Sequence, residues 1–292
     1  MRGQGMLRSS VMVVLAALML GLAGAAAWHA WRAGEEFRRP LTALALPAPQ
    51  QHALDCGRLT VPGQRLMVVL VLGQSNAANH VQSRATGGPG VYAWHEGRCF
   101  EAVDPLPGAS GEGGSLWTRL GPLIVASAAY DGVLFVPLAV NATSVAQWHW
   151  HPALSERLRR TLLALRAAKL EPSHAIWYQG EADSFKQTSA ADYRRDFVRL
   201  LQELRGLGLQ APLWLAQATK CQKRSNPAVR SVQEALPQEL PGVRAGPDMD
   251  ALFGPQDRYD GCHFSTDSAT LAAQAWQQAL FAPAPFKPPG AP

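Results

Sequence analysis

The stretch RLMVVLVLGQSN, residues 65–76, decides how the rest of the chain is read. Its apolar residues run without a break from Leu66 to Leu72, too short for a typical helix and not alternating with polar ones. That is the pattern of a strand buried on both faces of a parallel sheet. Gly73-Gln74-Ser75-Asn76 then turns the chain, and ligands of an open parallel sheet bind beyond the carboxyl ends of its strands. Ser75 therefore stands where a nucleophile would stand, although a serine after a strand also serves as an ordinary helix N-cap. The segment lacks the Gly-x-Ser-x-Gly pattern of the strained nucleophile elbow, which argues against an ordinary α/β-hydrolase.

Outward from this strand the pattern repeats. Short apolar runs at residues 65–72, 133–139, 174–178, 213–218 and 243–246 alternate with longer amphipathic ones at 116–129, 153–168, 190–207, 228–236 and 268–280. Alternating β and α elements, connected right-handedly, predict a three-layer α/β/α sandwich around a parallel sheet of about five strands. Residues 91–94 and 98–101, separated by His95-Glu96-Gly97, predict a small hairpin inserted after the first strand.

The ends of the chain read differently. Arg2 and Arg8 precede an unbroken apolar run at residues 11–27 that finishes on Ala25-Ala26-Ala27, the pattern of an export signal. Its length fits both a cleaved signal peptide and an uncleaved anchor holding the protein to a membrane. The expected organisation is therefore an export segment at 1–40, an approach segment at 41–64, one domain at 65–281 and a Pro-rich tail at 282–292.

With 47% hydrophobic and 17% charged residues, the composition excludes a disordered or fibrous chain. Of the net charge of +5, three units lie in residues 1–40, leaving +2 for the rest. That is no footprint for nucleic acid. The even set Cys56, Cys99, Cys221 and Cys262, in an exported chain, predicts two disulfides. Cys56 with Cys99 and Cys221 with Cys262 are the expected pairs, because each joins segments that the fold brings together.

Near the other end, Asp260-Gly261-Cys262-His263 supplies an acid and a histidine three residues apart. A serine hydroxyl needs a general base to become a nucleophile, and the imidazole needs a carboxylate to hold its tautomer. Asp260 and His263 are those groups. Gln179, in Trp177-Tyr178-Gln179-Gly180-Glu181-Ala182-Asp183 after the middle strand, can donate its amide to a developing oxyanion. Glu181 and Asp183 invite a paired-carboxylate glycosidase reading, but their place just past a strand favours capping of a helix. Asp248 and Asp250 read as structural.

In this order and frame, Gly73-Gln74-Ser75-Asn76, Gln179-Gly180-Glu181-Ala182-Asp183 and Asp260-x-x-His263 resemble the SGNH hydrolase superfamily. The likeness is greatest to its sialate O-acetylesterase branch, which includes carbohydrate esterase family six, and it covers roughly residues 66–280. It implies Ser75 as nucleophile, His263 as base and Asp260 as orienting acid. It also implies an oxyanion hole from the Ser75 N–H, the Gly114 N–H and the Gln179 side chain, with Gly111 and Gly113 competing for the glycine. Residues 136–148 are similar to the family's Gly-Gly-Thr-Ser loop, with Asn141-Ala142 in place of the two glycines. Substrate contacts are accordingly expected at Asn76, Thr143 and Trp148, and Trp148-His149-Trp150-His151 offers aromatic faces to sugar rings. The implied activity is removal of O-acetyl groups from a carbohydrate outside the cytoplasm, with no metal or cofactor. The alternatives are an inactive carbohydrate-binding protein on the same fold and an O-acetyltransferase.

Overall fold

The computed structural model describes residues 44–48 and 51–281, together with residues 19, 21–25 and 27. The chain divides into two units, Met1–Ala43 and Leu44–Pro292. In the first, the described residues are helical, and among the described residues no helix is long and apolar enough to cross a membrane. The expected export segment at 1–40 lies outside the described residues except for 19, 21–25 and 27, and the tail at 282–292 lies wholly outside them.

The second unit is built on strands β1 (Leu66–Gly73), β2 (Val91–His95), β3 (Arg98–Glu101), β4 (Gly132–Pro137), β5 (His174–Tyr178), β6 (Leu213–Gln217) and β7 (Val243–Asp248). They form one sheet in the order β3-β2-β4-β1-β5-β6-β7. All neighbours are parallel except β2 and β3. The sheet therefore has seven strands rather than five. The hairpin is no separate insertion, because β2 pairs in parallel with β4, Val91 opposite Val133, and extends the sheet at that edge.

The helices are α1 (Trp117–Ala126), α2 (Gln147–Trp150), α3 (Pro152–Ala167), α4 (Glu181–Lys186), α5 (Ala190–Gly206), α6 (Pro227–Glu239), α7 (Met249–Leu252) and α8 (Thr266–Phe281). Local chemistry sets their starts. Pro152 and Pro227 occupy first-turn positions that need no N–H donor. Asn226 accepts from the Val229 N–H and Ser189 from the Asp192 N–H, capping α6 and α5.

Successive side chains of β1 point to opposite faces, and both faces are covered. Met67, Val69 and Val71 share one apolar cluster with Trp117 of α1 and Trp276 of α8, whose rings lie 5.9 Å apart. Beneath the opposite face Trp177 meets Phe197 of α5 at 6.2 Å and Trp148 of α2 at 5.5 Å. Burying both faces is why the run at 66–72 shows no alternation.

The approach segment is not excluded from the domain. Leu44 bridges to Ser110, Leu54 pairs with Cys99, and Leu59 is buried. Both expected disulfides are present: Cys56 with Cys99 ties the approach segment to β3, and Cys221 with Cys262 ties the loop after β6 to the one before α8.

Candidate active site

Ser75 opens a single 3-10 turn at the carboxyl end of β1. Gly73 makes that exit possible. Its φ is +132°, and a Cβ there would meet the Tyr178 carbonyl oxygen at 2.0 Å, so only glycine lets β1 and β5 run this close before diverging. As first residue of the turn, Ser75 has an N–H with no intrahelical acceptor.

The residues beside Ser75 lock the turn to the segment after β5. Gln74 Oε1 accepts from the Ala182 N–H at 2.9 Å and from Gln179 Nε2 at 3.2 Å. Asn76 Nδ2 donates to Glu181 Oε1 at 2.6 Å and to the Cys262 carbonyl at 3.3 Å. The second contact ties the Asp260–His263 loop to the residue that follows Ser75, and no hydrogen bond joins His263 to the Ser75 hydroxyl.

In that loop His263 Nδ1 lies 2.6 Å from Asp260 Oδ2, while Asp260 Oδ1 accepts the backbone N–H groups of Cys262 and His263 at 2.9 and 2.8 Å. Partial burial raises the Asp260 carboxyl, but the hydrogen bonds from His263 and Cys262 outweigh it and hold the group below its ordinary range. A carboxylate at Nδ1 keeps the proton on that nitrogen and leaves the Nε2 lone pair free. His263 Nε2 is buried and without a hydrogen-bond partner.

A second imidazole, which no motif announced, completes the surroundings. His80 stacks on His263 with ring centroids 4.9 Å apart. Burial, and then the neighbouring His263, push its pKa down to about 4, with Asp260 opposing, so it is neutral at pH 7.

Several expected contacts are not made. Gly114 is no oxyanion donor, since its N–H bonds the Val81 carbonyl at 2.8 Å, and Gly113 is likewise engaged with Asn79. Gly111 is the glycine left. It adopts φ +92° beside His80, and its N–H has no acceptor among the described residues. Gln179 does not reach the cleft either. Fully buried, it points its Nε2 at Asp183 Oδ2 (2.6 Å), the Thr143 carbonyl (2.9 Å) and Gln74. Asn76, Thr143 and Trp148 are buried too. Thr143 Oγ1 donates to the Val140 carbonyl and accepts from Trp148 Nε1, so both residues shape the loop after β4 and neither meets solvent. In the Trp148–His151 segment it is Trp150 that is exposed, at 49%.

The two acids of the middle motif hold buried structure and form no glycosidase pair. Asp183 accepts from Gln179, the Val145 N–H and Thr188, and burial raises its carboxyl. Asp250 is structural, accepting the Thr219 and Lys220 N–H groups, while Asp248 caps α7 and pairs with Arg230.

This arrangement of strands and turns is shared with solved structures. A protein from Arabidopsis thaliana is similar with a TM-score of 0.60 at 18% identity, over 75% of this chain and 99% of that one. NanS is similar with a TM-score of 0.52 at 14% identity, over 75% and 98%. No curated protein sequence matches the chain. Residues 65–282, the span that carries Ser75, Gln179 and the Asp260–His263 pair, match the model of one family, and the chain belongs to it: carbohydrate esterase, sialic acid-specific acetylesterase.

Proposed function

We propose that the domain is a serine esterase that removes O-acetyl groups from a carbohydrate, with Ser75 as nucleophile, His263 as general base and Asp260 as the acid that orients it. The observation that carries this reading is the 2.6 Å contact between Asp260 and His263 in a loop that Asn76 ties to the serine turn, with the far nitrogen of the imidazole buried and uncommitted. The chemistry follows from the parts. His263 Nε2 takes the hydroxyl proton as Ser75 Oγ attacks the acetyl carbonyl, and Asp260 stabilises the imidazolium so formed. The N–H groups of Ser75 and Gly111 receive the oxyanion. The proton on Nε2 passes to the departing sugar oxygen, and water, deprotonated by the same nitrogen, then releases acetate.

The proposed substrate is an acetylated sugar acid. A cavity of about 590 Å³ borders the same loop, lined by Asp260 and by Lys220, Lys223, Arg224 and Arg258. Its positive charge suits a carboxylate on the sugar. Two disulfides favour an oxidising compartment outside the cytoplasm.

The test is acetate release from O-acetylated sialic acid and from acetylated xylan by wild-type protein and by Ser75→Ala. The variant should be inactive and unlabelled by a fluorophosphonate while keeping its melting temperature. More than a few per cent residual activity removes Ser75 from the mechanism. Equal rates on the neutral and acidic glycans remove the role given to the basic cavity.

A further inference from the structure

Glu181 opens α4, is 1% exposed, and has no place in the chemistry described above. Its Oε1 holds Asn76 Nδ2 at 2.6 Å, and that same Nδ2 lies 3.3 Å from the Cys262 carbonyl. Asn76 follows Ser75 and Cys262 precedes His263. One amide group, aimed by one carboxylate, thus spans the two halves of the site. Arg258 Nη1 donates to the same carbonyl at 2.5 Å.

Without an acceptor the Asn76 amide would be free to turn, because the terminal torsion of asparagine is broad. A short bond to a carboxylate removes that freedom. The ionisable groups acting on Glu181 or feeling its charge are Arg258, Asp250, Tyr178 and Tyr193, and of these only the Arg258 cation favours a carboxylate. Keeping an acid here is costly unless it does something for its neighbours.

We infer that Glu181 is a positioning residue: acting through Asn76, it fixes the Cys262 carbonyl and thereby the separation of the His263 imidazole from the Ser75 hydroxyl. This deepens the esterase reading and rests on it. Glu181→Gln keeps the side-chain volume but replaces the charged acceptor by a neutral amide oxygen, which weakens the bond that aims Asn76 Nδ2.

A double-mutant cycle on a chromogenic acetate ester separates this from a role in packing. Wild type, Glu181→Gln, Asn76→Ala and the double variant are compared by kcat and KM, with a thermal melt of each. Each single change should lower kcat by roughly 10- to 100-fold, as small misplacements of reacting groups do, with KM within about twofold. The double variant should be no slower than Asn76→Ala alone, since Glu181 acts only through that amide. Losses that multiply, losses confined to KM, or a Glu181→Gln variant with wild-type kcat would each overturn the inference. Should Asn76→Ala fail to fold, Asn76→Ser takes its corner of the cycle. A wild-type protein without ester hydrolysis would overturn the esterase reading and the tether with it, whereas multiplied losses in an active enzyme overturn the tether alone.

Discussion

The two halves of the site are secured in different ways. Ser75 is 2% exposed, at the end of a central strand, its turn bonded through Gln74 and Asn76 to other buried groups. The Asp260–His263 half lies in a surface loop, with the Asp260 side chain 39% exposed and the His263 side chain 16%, and it is held by hydrogen bonds within the loop, by the Asn76 and Arg258 bonds to the Cys262 carbonyl, and by a disulfide to Cys221. The turn that carries the proposed nucleophile is held by the core, so cutting the bonds of Gln74 or Asn76 disturbs folding. The proposed base is held by a few bonds that can be cut one at a time, so its half can fail while the domain stays folded.

The largest effect expected from that contrast is at Asp260. Asp260→Asn should lower kcat by about 10³–10⁴, because an amide can favour the wrong imidazole tautomer, while the melting temperature hardly moves. Steady-state kinetics with a parallel melt check this; a comparable fall in stability would show that the loop is part of the cooperative core.

The two disulfides sharpen the comparison, since they close loops of similar length, with sequence separations of 41 and 43. The chain-entropy model assigns each about 4 kcal/mol. Replacing either pair by serine should therefore cost similar stability in denaturant titrations, yet only the Cys221→Ser/Cys262→Ser variant should lose turnover under native conditions. Equal losses of kcat from both would mean that the Cys221–Cys262 bond has no particular part in holding the proposed base.

A third expectation concerns pH. Burial raises the Glu181 carboxyl from 4.5 to about 7 in the folded state, partly opposed by the Asn76 bond. A raised folded pKa means that its contribution to stability is fully present below about 4.5 and is lost as pH rises through about 7. Linkage makes that loss on the order of 3 kcal/mol. Glu181→Gln should flatten the stability curve over this window, as read by urea titration at several pH values, while Asp260→Asn leaves the window in place.

The smallest effect is at Gln179. Gln179→Ala leaves Asp183, Gln74 and the Thr143 carbonyl short of a donor, so roughly 1–3 kcal/mol of stability should go. Calorimetry measures it. A fall of 10²-fold or more in kcat with no change in melting would instead restore Gln179 as an oxyanion donor.

Much of this molecule was legible as sequence because burial on both faces writes itself as unbroken apolar runs, as at 66–72 and 174–178. The hairpin's place was not, since the pairing of Val91 with Val133 spans some forty residues and leaves no periodic trace. The approach segment shows no sustained period because isolated backbone bridges, the buried Leu59 and one disulfide hold it, not a repeating face. Ser75, Asp260 and His263 stood out because a serine after a strand, with an acid and a histidine three residues apart in one later loop, are the types that nucleophilic catalysis needs. Direction was the hidden quantity. A polar residue after a strand can point out to a ligand or down into a network, and Asn76, Thr143 and Gln179 all point down. Gly114 was misassigned because its N–H partner, Val81, lies in a loop with no pattern of its own, and His80 carried no signal beyond lying five residues after Ser75.

The strap formed by Leu54 and Cys56 has a consequence for solubility. An outermost strand offers unpaired N–H and C=O groups that can recruit a strand from another molecule. Leu54 donates to the Cys99 carbonyl along the outer side of β3, and the adjacent disulfide keeps it there. The opposite edge, β7, is blunted by its own residues, with Arg244 exposed and Pro247 lacking an N–H. Cutting the Cys56–Cys99 bond would thus bare one margin of the sheet while the other stays closed, inviting association between copies with the hydrolytic centre untouched.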